Sequence, residues 1–288
     1  MTYYELMQRL SVGVAYTHSG QFHADDCFSA ALLRLVYPSL QIIRSRNVPT
    51  EFPGLIFDEG GGEFDHHQPE SEKRKNGIPY ASFGLLWRCI APAVWGLDIY
   101  RMVDSRFIQP LDAADNGEGS SPIANIIRQM NPQWNEDNSP VFMQAAFERA
   151  VGLCYSILQR QIECVQSDLM ARPIIQEAIE HNTDGIVELP RHINCINQLA
   201  GDVRPKVMLY PTQTGYGNWN VQTIPTKPGA KDYRVPLFPY EKDEEMGVKY
   251  RSGFLATCQD YESAKLLAFK SVVMDTKGVT VIDNTKVA

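Results

Sequence analysis

Two rhythms of apolar and polar positions divide this chain. In the first half, short apolar runs alternate with stretches of helical period: residues 12–17 predict a buried strand, 28–36 a helix, 41–46 a second strand, and 55–57 a third strand that stops at Asp58 before three glycines. Helices follow over 81–90, over 99–114 with Pro110 as an interruption, and over 122–130. From 141 to about 182 the pattern stays helical past Pro173, and then the rhythm changes. Residues 186–189, 206–210, 219–224 and 253–258 read as short strands between Pro- and Gly-rich turns, closed by an amphipathic helix over 262–273. The pattern predicts an α/β protein of two domains. A parallel-sheet N-terminal domain spans 1–182 and includes a long linker helix, and a smaller α+β domain spans 183–288.

Composition narrows the class. With 288 residues, 44% hydrophobic and 21% charged, the chain can bury a full core and is not a disordered segment. No apolar run approaches the roughly 18 residues that span a bilayer, and the start MTYYELMQRL lacks a signal-peptide layout, so no membrane and a cytoplasmic location are expected. Cys27, Cys89, Cys154, Cys164, Cys195 and Cys258 show no C-x-x-C spacing and are expected to be buried free thiols. A net charge of −7 argues against a broad basic face for nucleic acid. It leaves open an enzyme whose positive charge is confined to a cleft or supplied by metal ions.

The chemistry gathers at strand ends. His18, His23, Asp25 and Asp26 follow the first strand within nine residues, and both aspartates sit at the start of the next helix. A lone aspartate there is ordinarily an N-cap. The third strand ends at Asp58, and Asp65, His66 and His67 follow side by side. In open α/β sheets the carboxyl edge is where ligands bind. Two strand ends that both carry carboxylates and imidazoles are hard to explain by packing, because unpaired buried charge is costly. Mixed N/O donors of this kind suit a hard divalent metal. Asp112 and Asp115 share a helical face before Asn116 and Gly117 and would otherwise read as surface acids near a helix end. Arg44 and Arg46 end the second strand, where they could meet phosphate or stay solvated. Lys73, Arg74 and Lys75 lie in a loop over 69–79 that either guides an anionic substrate or is a solvated surface loop. His181 and His192 lack a partner motif and are read as structural.

Taken in order, H18-x4-H23-x-D25-D26, F57-D58 with its glycines, D65-H66-H67-Q68 and D112-A-A-D115-N-G resemble the DHH phosphoesterase superfamily, and within it the Myg-type family of metal-dependent exonucleases. Weaker matches extend through Ala81 to Leu85, Trp219 to Gln222 and Gly253 to Ala256, whereas Tyr250 stands where that family usually has a histidine. The resemblance implies a site for two Mn²⁺ ions, with Mg²⁺ as the other candidate. His18, His23 and Asp58 would hold one ion, and Asp25, Asp58, His66 and Asp115 the other, with Asp112 a further possibility beside Asp115. Asp65 would orient His66, and His67 would face the scissile phosphate, with Arg44 or Arg46 assisting. The implied activity is two-metal hydrolysis of phosphodiesters at an end of single-stranded nucleic acid. The alternatives are a small-molecule hydrolase acting on pyrophosphate, a cyclic dinucleotide or a very short oligonucleotide, and a non-catalytic metal-stabilised binding protein.

Overall fold

A computed structural model describes residues 1–49, 51–68, 72–213, 217–239 and 243–275. Its contacts divide the chain into two compact units, Met1–Ser167 and Asp168–Ala288. The division falls inside a helix, Pro140–Glu180, rather than after residue 182.

The N-terminal unit opens with α1, Tyr3–Leu10, a helix absent from the elements expected of the apolar pattern. Its signal is a capping box: the Thr2 hydroxyl accepts the Glu5 N–H at 3.3 Å, and the Glu5 carboxylate accepts the Thr2 N–H at 2.7 Å. Leu6 and Leu10, one turn apart, are its buried face. Next come β1 (Val14–Thr17), α2 (Ala24–Val36), β2 (Gln41–Arg44) and β3 (Leu55–Ile56). The three strands form a parallel sheet in the order β2-β1-β3. Parallel pairing brings all three carboxyl ends to one edge, so the segments carrying His18, Arg46 and Asp58 leave the sheet on the same side. α2 begins at Ala24, four residues before its apolar spacing is evident, and so takes both Asp25 and Asp26 into its first turn.

Then follow α3 (Ser82–Val94), α4 (Leu97–Val103) and α5 (Gln109–Asp115), with a π-helical turn, Asp104–Ile108, joining the last two. Pro110 has no N–H to give the helix, and the ladder is widened just before it. α6 is Pro122–Gln129, begun by the Ser121 hydroxyl accepting the Ala124 N–H. α7 is Pro140–Glu180. By length and composition α7 alone among the described helices could cross a membrane, although no uninterrupted apolar run of that length is present in the sequence. Ala146, Phe147, Ala150, Cys154 and Leu158 are buried at helical spacing and form one apolar face of α7.

The C-terminal unit is a mixed sheet of β4 (Ile186–Glu188), β5 (Val207–Pro211), β6 (Trp219–Thr223), β7 (Val248–Arg251) and β8 (Leu255–Cys258), with α8 (Ile196–Gly201) and α9 (Tyr261–Asp275). The strand order is β4-β5-β6-β8-β7; β4 runs parallel to β5 and the other pairs are antiparallel. Alternation along β5 explains its two cores. Val207 and Leu209 pack with Ala264, Leu267 and Ala268 of α9, while Met208 and Tyr210 pack with Ile175, Ile179 and Leu199. The pattern reading missed β7 and α8. β7 is an edge strand whose burial does not alternate, and α8 has only six residues. Cys27, Cys154, Cys195 and Cys258 are buried free thiols as expected, whereas Cys89 is half-buried and Cys164 is exposed.

Candidate metal centre

Four segments of the N-terminal unit converge at the carboxyl edge of its sheet. From the loop after β1, His18 places Nε2 3.2 Å from Asp26 Oδ2 and 3.4 Å from Asp58 Oδ2. Its Nδ1 lies 3.2 Å from the Ser19 carbonyl, which can only accept, so Nδ1 carries a hydrogen and Nε2 is the atom turned inward. Asp58 follows β3 in a left-handed backbone conformation, φ +55°, uncommon for a residue with a side chain. Its N–H donates to the Phe64 carbonyl at 2.9 Å, and the Ser82 hydroxyl reaches its Oδ1 at 3.3 Å.

The second half of the centre comes from the DHH segment and α5. His66 Nε2 lies 3.1 Å from Asp115 Oδ2, 3.2 Å from Asp58 Oδ1 and 3.8 Å from Asp25 Oδ2. Asn116 fixes which nitrogen does this. Its amide donates to the carbonyls of Tyr80 at 3.2 Å and Asp112 at 2.8 Å, so its carbonyl oxygen faces His66 Nδ1 at 3.4 Å and accepts from it. The glycine turn shapes the segment: the Gly61 N–H donates to Asp65 Oδ2 at 2.7 Å, and Gln68 donates to the Gly61 carbonyl at 2.9 Å and the Gly62 carbonyl at 3.0 Å. Gly60 and Gly61 both have positive φ, which glycine adopts without strain. Asp65 Oδ1 in turn holds His67, at 3.0 Å from its backbone nitrogen and 2.9 Å from Nδ1. Asp65 therefore steers His67, whereas the sequence pointed to His66.

The two aspartates of α2 divide their tasks differently from a simple cap and ligand. Asp26 Oδ1 accepts the His23 N–H at 2.8 Å and caps its own helix. Asp25 caps another: it accepts the N–H groups of Ser82 at 3.0 Å and Phe83 at 2.7 Å, where Ala81 offers α3 no side-chain cap.

Burial and charge set the protonation of the cluster. Burial would depress His18, but the Asp26 and Asp58 carboxylates beside its Nε2 outweigh it and lift the ring to about 10. Burial likewise opposes the charge on His66, and the adjacent Asp115 and Asp58 carboxylates raise it to about 11. Asp58 would be raised by burial, yet the two imidazoles hold it below the usual carboxylate range. Asp25 is pushed well above that range by burial and by the neighbouring Asp58 and Asp115 charges. The cluster holds more carboxylate than its two inward rings can balance, which is the condition a divalent cation relieves. Two buried atoms, Asp26 Oδ2 and His66 Nε2, complete no well-directed hydrogen bond. Two donor sets converge closely enough to hold an ion: Asp25, His66 and Asp115, and Asp58, His66 and His67. Hard oxygens with imidazole fit a metal of the Mn²⁺ or Mg²⁺ type, and no thiol takes part.

The remaining candidate residues lie around this core. His23 is exposed, with its ring centroid 5.8 Å from that of His18. His67 is exposed over 63% of its side chain. Arg46 is exposed and lines a cavity of about 310 Å³ with His18, His23, Asp58, Asp65 and His67. Arg44 is not turned to phosphate. Its Nη2 donates to the Gly20 carbonyl at 2.6 Å, and its guanidinium packs over Phe147 at 4.8 Å and Phe22 at 5.5 Å, bracing the loop that carries His18 and His23. Burial draws its pKa down.

Asp112, weighed beside Asp115 as a ligand, is occupied by a partner the sequence did not suggest. Arg74 is buried, donating Nη2 to Asp104 Oδ1 at 2.6 Å and to Asp112 Oδ2 at 2.7 Å, and Nε to Asp104 Oδ2 at 3.1 Å. Burial pushes the Asp112 carboxyl up to about 7 against the pull of Arg74. Arg74 thus belongs to no substrate-guiding loop, and Lys73 pairs with Glu118 at 3.4 Å. Residues 69–71 of that loop lie outside the described residues. In the C-terminal unit, His181 donates Nδ1–H to the Glu177 carbonyl at 2.9 Å and His192 packs on Tyr210, both consistent with structural roles.

Comparison with known proteins adds sequence kinship to this geometry. Residues 14–272 match the family model described as MYG1_exonuc, uncharacterised protein family (UPF0160). The chain is 28% identical over 280 residues to the MYG1 exonuclease of Mus musculus, covering 77% of this chain and 71% of that one. It is 25% identical over 320 residues to the MYG1 protein of Dictyostelium discoideum, covering 91% and 97%. Among solved structures, RecJ of Thermus thermophilus in complex with Mg²⁺ matches at 11% identity and a TM-score of 0.30. That match covers 96% of this chain but spans about half (52%) of the RecJ chain.

Proposed function

The chain belongs to the MYG1 family, UPF0160, and from that premise we propose that it is a metal-dependent phosphodiesterase of DHH type that shortens single-stranded nucleic acid from an end. The observation that carries this reading is the convergence of Asp25, Asp58 and Asp115 oxygens on His66 Nε2 within 3.1–3.8 Å in a buried setting. His18, His23 and Asp58 would hold one Mn²⁺ ion, and Asp25, Asp58, His66 and Asp115 the other, with Asp26 Oδ2 a further donor beside His18. When bound, a pair of divalent ions supplies Lewis acidity that activates water and offsets charge on the phosphate during in-line displacement.

The chain's own side chains do the rest. Asn116 and the Ser19 carbonyl keep hydrogen on the outer nitrogens of His66 and His18, leaving Nε2 of each as the ligand atom. Asp65 accepts Nδ1–H of His67 and leaves Nε2 of this exposed ring facing a phosphate oxygen, to which it would donate in the imidazolium form as charge develops. Arg46, exposed and lining the cavity, attracts the phosphate in a protein whose net charge is −7. The modest size of the cavity, about 310 Å³, favours a terminal segment or a very short oligonucleotide over the middle of a polymer.

The test is Mn²⁺-dependent cleavage of end-labelled single-stranded RNA and DNA of graded length. Stepwise shortening that is lost in Asp58→Asn supports the proposal. Turnover of dinucleotides or pyrophosphate alone would replace it with the small-molecule reading, and no turnover of any phosphodiester would leave a metal-stabilised binding protein.

A further inference from the structure

A second cavity, of about 330 Å³, adjoins the metal centre; His23 and His67 line both cavities, and Arg46 lines only the first. One wall is α6. Ser121, Ala124, Asn125 and Arg128 all line this cavity, and their spacing of three, four and seven residues puts them on one helical face. The face is small and polar until Arg128, while Ile127 turns into the core. Asp115 borders the same cavity but is engaged by His66 at 3.1 Å. Arg128 is exposed, and among the described residues its guanidinium has no hydrogen bond or ion pair. An arginine left unpaired beside an acidic centre, with a small polar face leading up to it, suits an anion brought from outside. The planar guanidinium offers paired donors to phosphate, and the Asn125 amide and a serine hydroxyl can bond its oxygens or a ribose.

We infer that the α6 face bearing Ser121, Asn125 and Arg128 is a subsite for a second phosphate of the substrate, next along the chain from the one held at the metal centre. The inference rests on the phosphodiesterase reading and extends it. A substrate straddling His23 and His67 places its scissile phosphate over the carboxylates and its neighbouring phosphate against Arg128. Arg128 is then the residue that distinguishes a dinucleotide bearing a terminal phosphate from one without it.

The test is calorimetric binding of three dinucleotides with a phosphorothioate linkage that resists hydrolysis, unphosphorylated, 5′-phosphorylated and 3′-phosphorylated, to the Mn²⁺-loaded protein. One terminal phosphate should tighten binding by about tenfold or more, the usual scale of a charge-assisted hydrogen bond. Arg128→Ala should abolish that gain with Mn²⁺ content unchanged, Arg128→Lys should restore part of it, and Arg46→Ala should leave it in place. The inference is overturned if neither terminal phosphate adds affinity, or if the gain survives Arg128→Ala. If the gain depends on Arg128 but the unmodified dinucleotides are never cleaved, the phosphodiesterase reading fails and the phosphate subsite stands.

Discussion

Asn116 donates its amide to two carbonyls and turns its oxygen to His66, so its removal frees the ring that three carboxylates surround. Asn116→Ala is predicted to weaken Mn²⁺ affinity by about 10–100-fold with the fold retained, measured by metal titration alongside circular dichroism. His67 discriminates between ligand and donor roles, because it belongs to one donor set with Asp58 yet is largely exposed. His67→Ala is expected to lower kcat by about 10²–10³ while the bound Mn²⁺ stays at the wild-type level; loss of an ion would make it a ligand instead. The two inward rings also set a pH dependence. Their pKa values of about 10 and about 11 lie above the ordinary 6.5, so without metal their contribution to stability is complete below pH 6.5 and is lost as pH rises through those values. Thermal melts in chelator should therefore show a falling Tm from neutral to alkaline pH. At this scale the motifs made His18, Asp58 and His66 legible. Arg74 was not, because its partners Asp104 and Asp112 lie 30 and 38 residues away and meet it only through the tertiary fold.

The elements exist to hold these groups in place. α3 receives its N-terminal cap from Asp25, and α5 is tied through Asp112 to Arg74, which the π-helical turn reaches through Asp104. Gly84 of α3 lies so close to this network that a Cβ there would fall against the Asp112 carboxylate and 2.8 Å from Arg74 Nη2. Gly84→Ala is predicted to destabilise the protein by about 1–3 kcal/mol despite the better helix propensity of alanine, because the surrounding ion pairs must shift. Arg74→Met leaves two buried carboxylates without their cation and should cost about 3–5 kcal/mol, measured by urea denaturation. Strand and helix identities were legible for elements with strong periodicity, such as β1 and α7. The π-helical turn was visible only as a proline interrupting a helix, and the early start of α2 was hidden because its first turn consists of acids that serve the site. β3, only two residues long, was recognisable from the aspartate and the glycines that come after it.

Across the whole molecule, the sheet of the N-terminal unit gathers the chemistry, and the C-terminal unit is a separately cored mixed sheet. The change of rhythm near residue 183 made the second unit legible, but the contact division lies earlier because the last part of α7 contributes Ile175 and Ile179 to that unit's core. Acidity and imidazole gathered at one edge of that parallel sheet mark the edge as a candidate site for two divalent ions. The most direct measurement is anomalous diffraction at the manganese edge from crystals of the full chain grown with Mn²⁺. Two peaks are expected, one bounded by His18 and Asp58 and the other by Asp25, His66 and Asp115, with both weakened in Asp58→Asn. Absence of any peak at these residues, or peaks confined to other parts of the protein, would contradict that assignment.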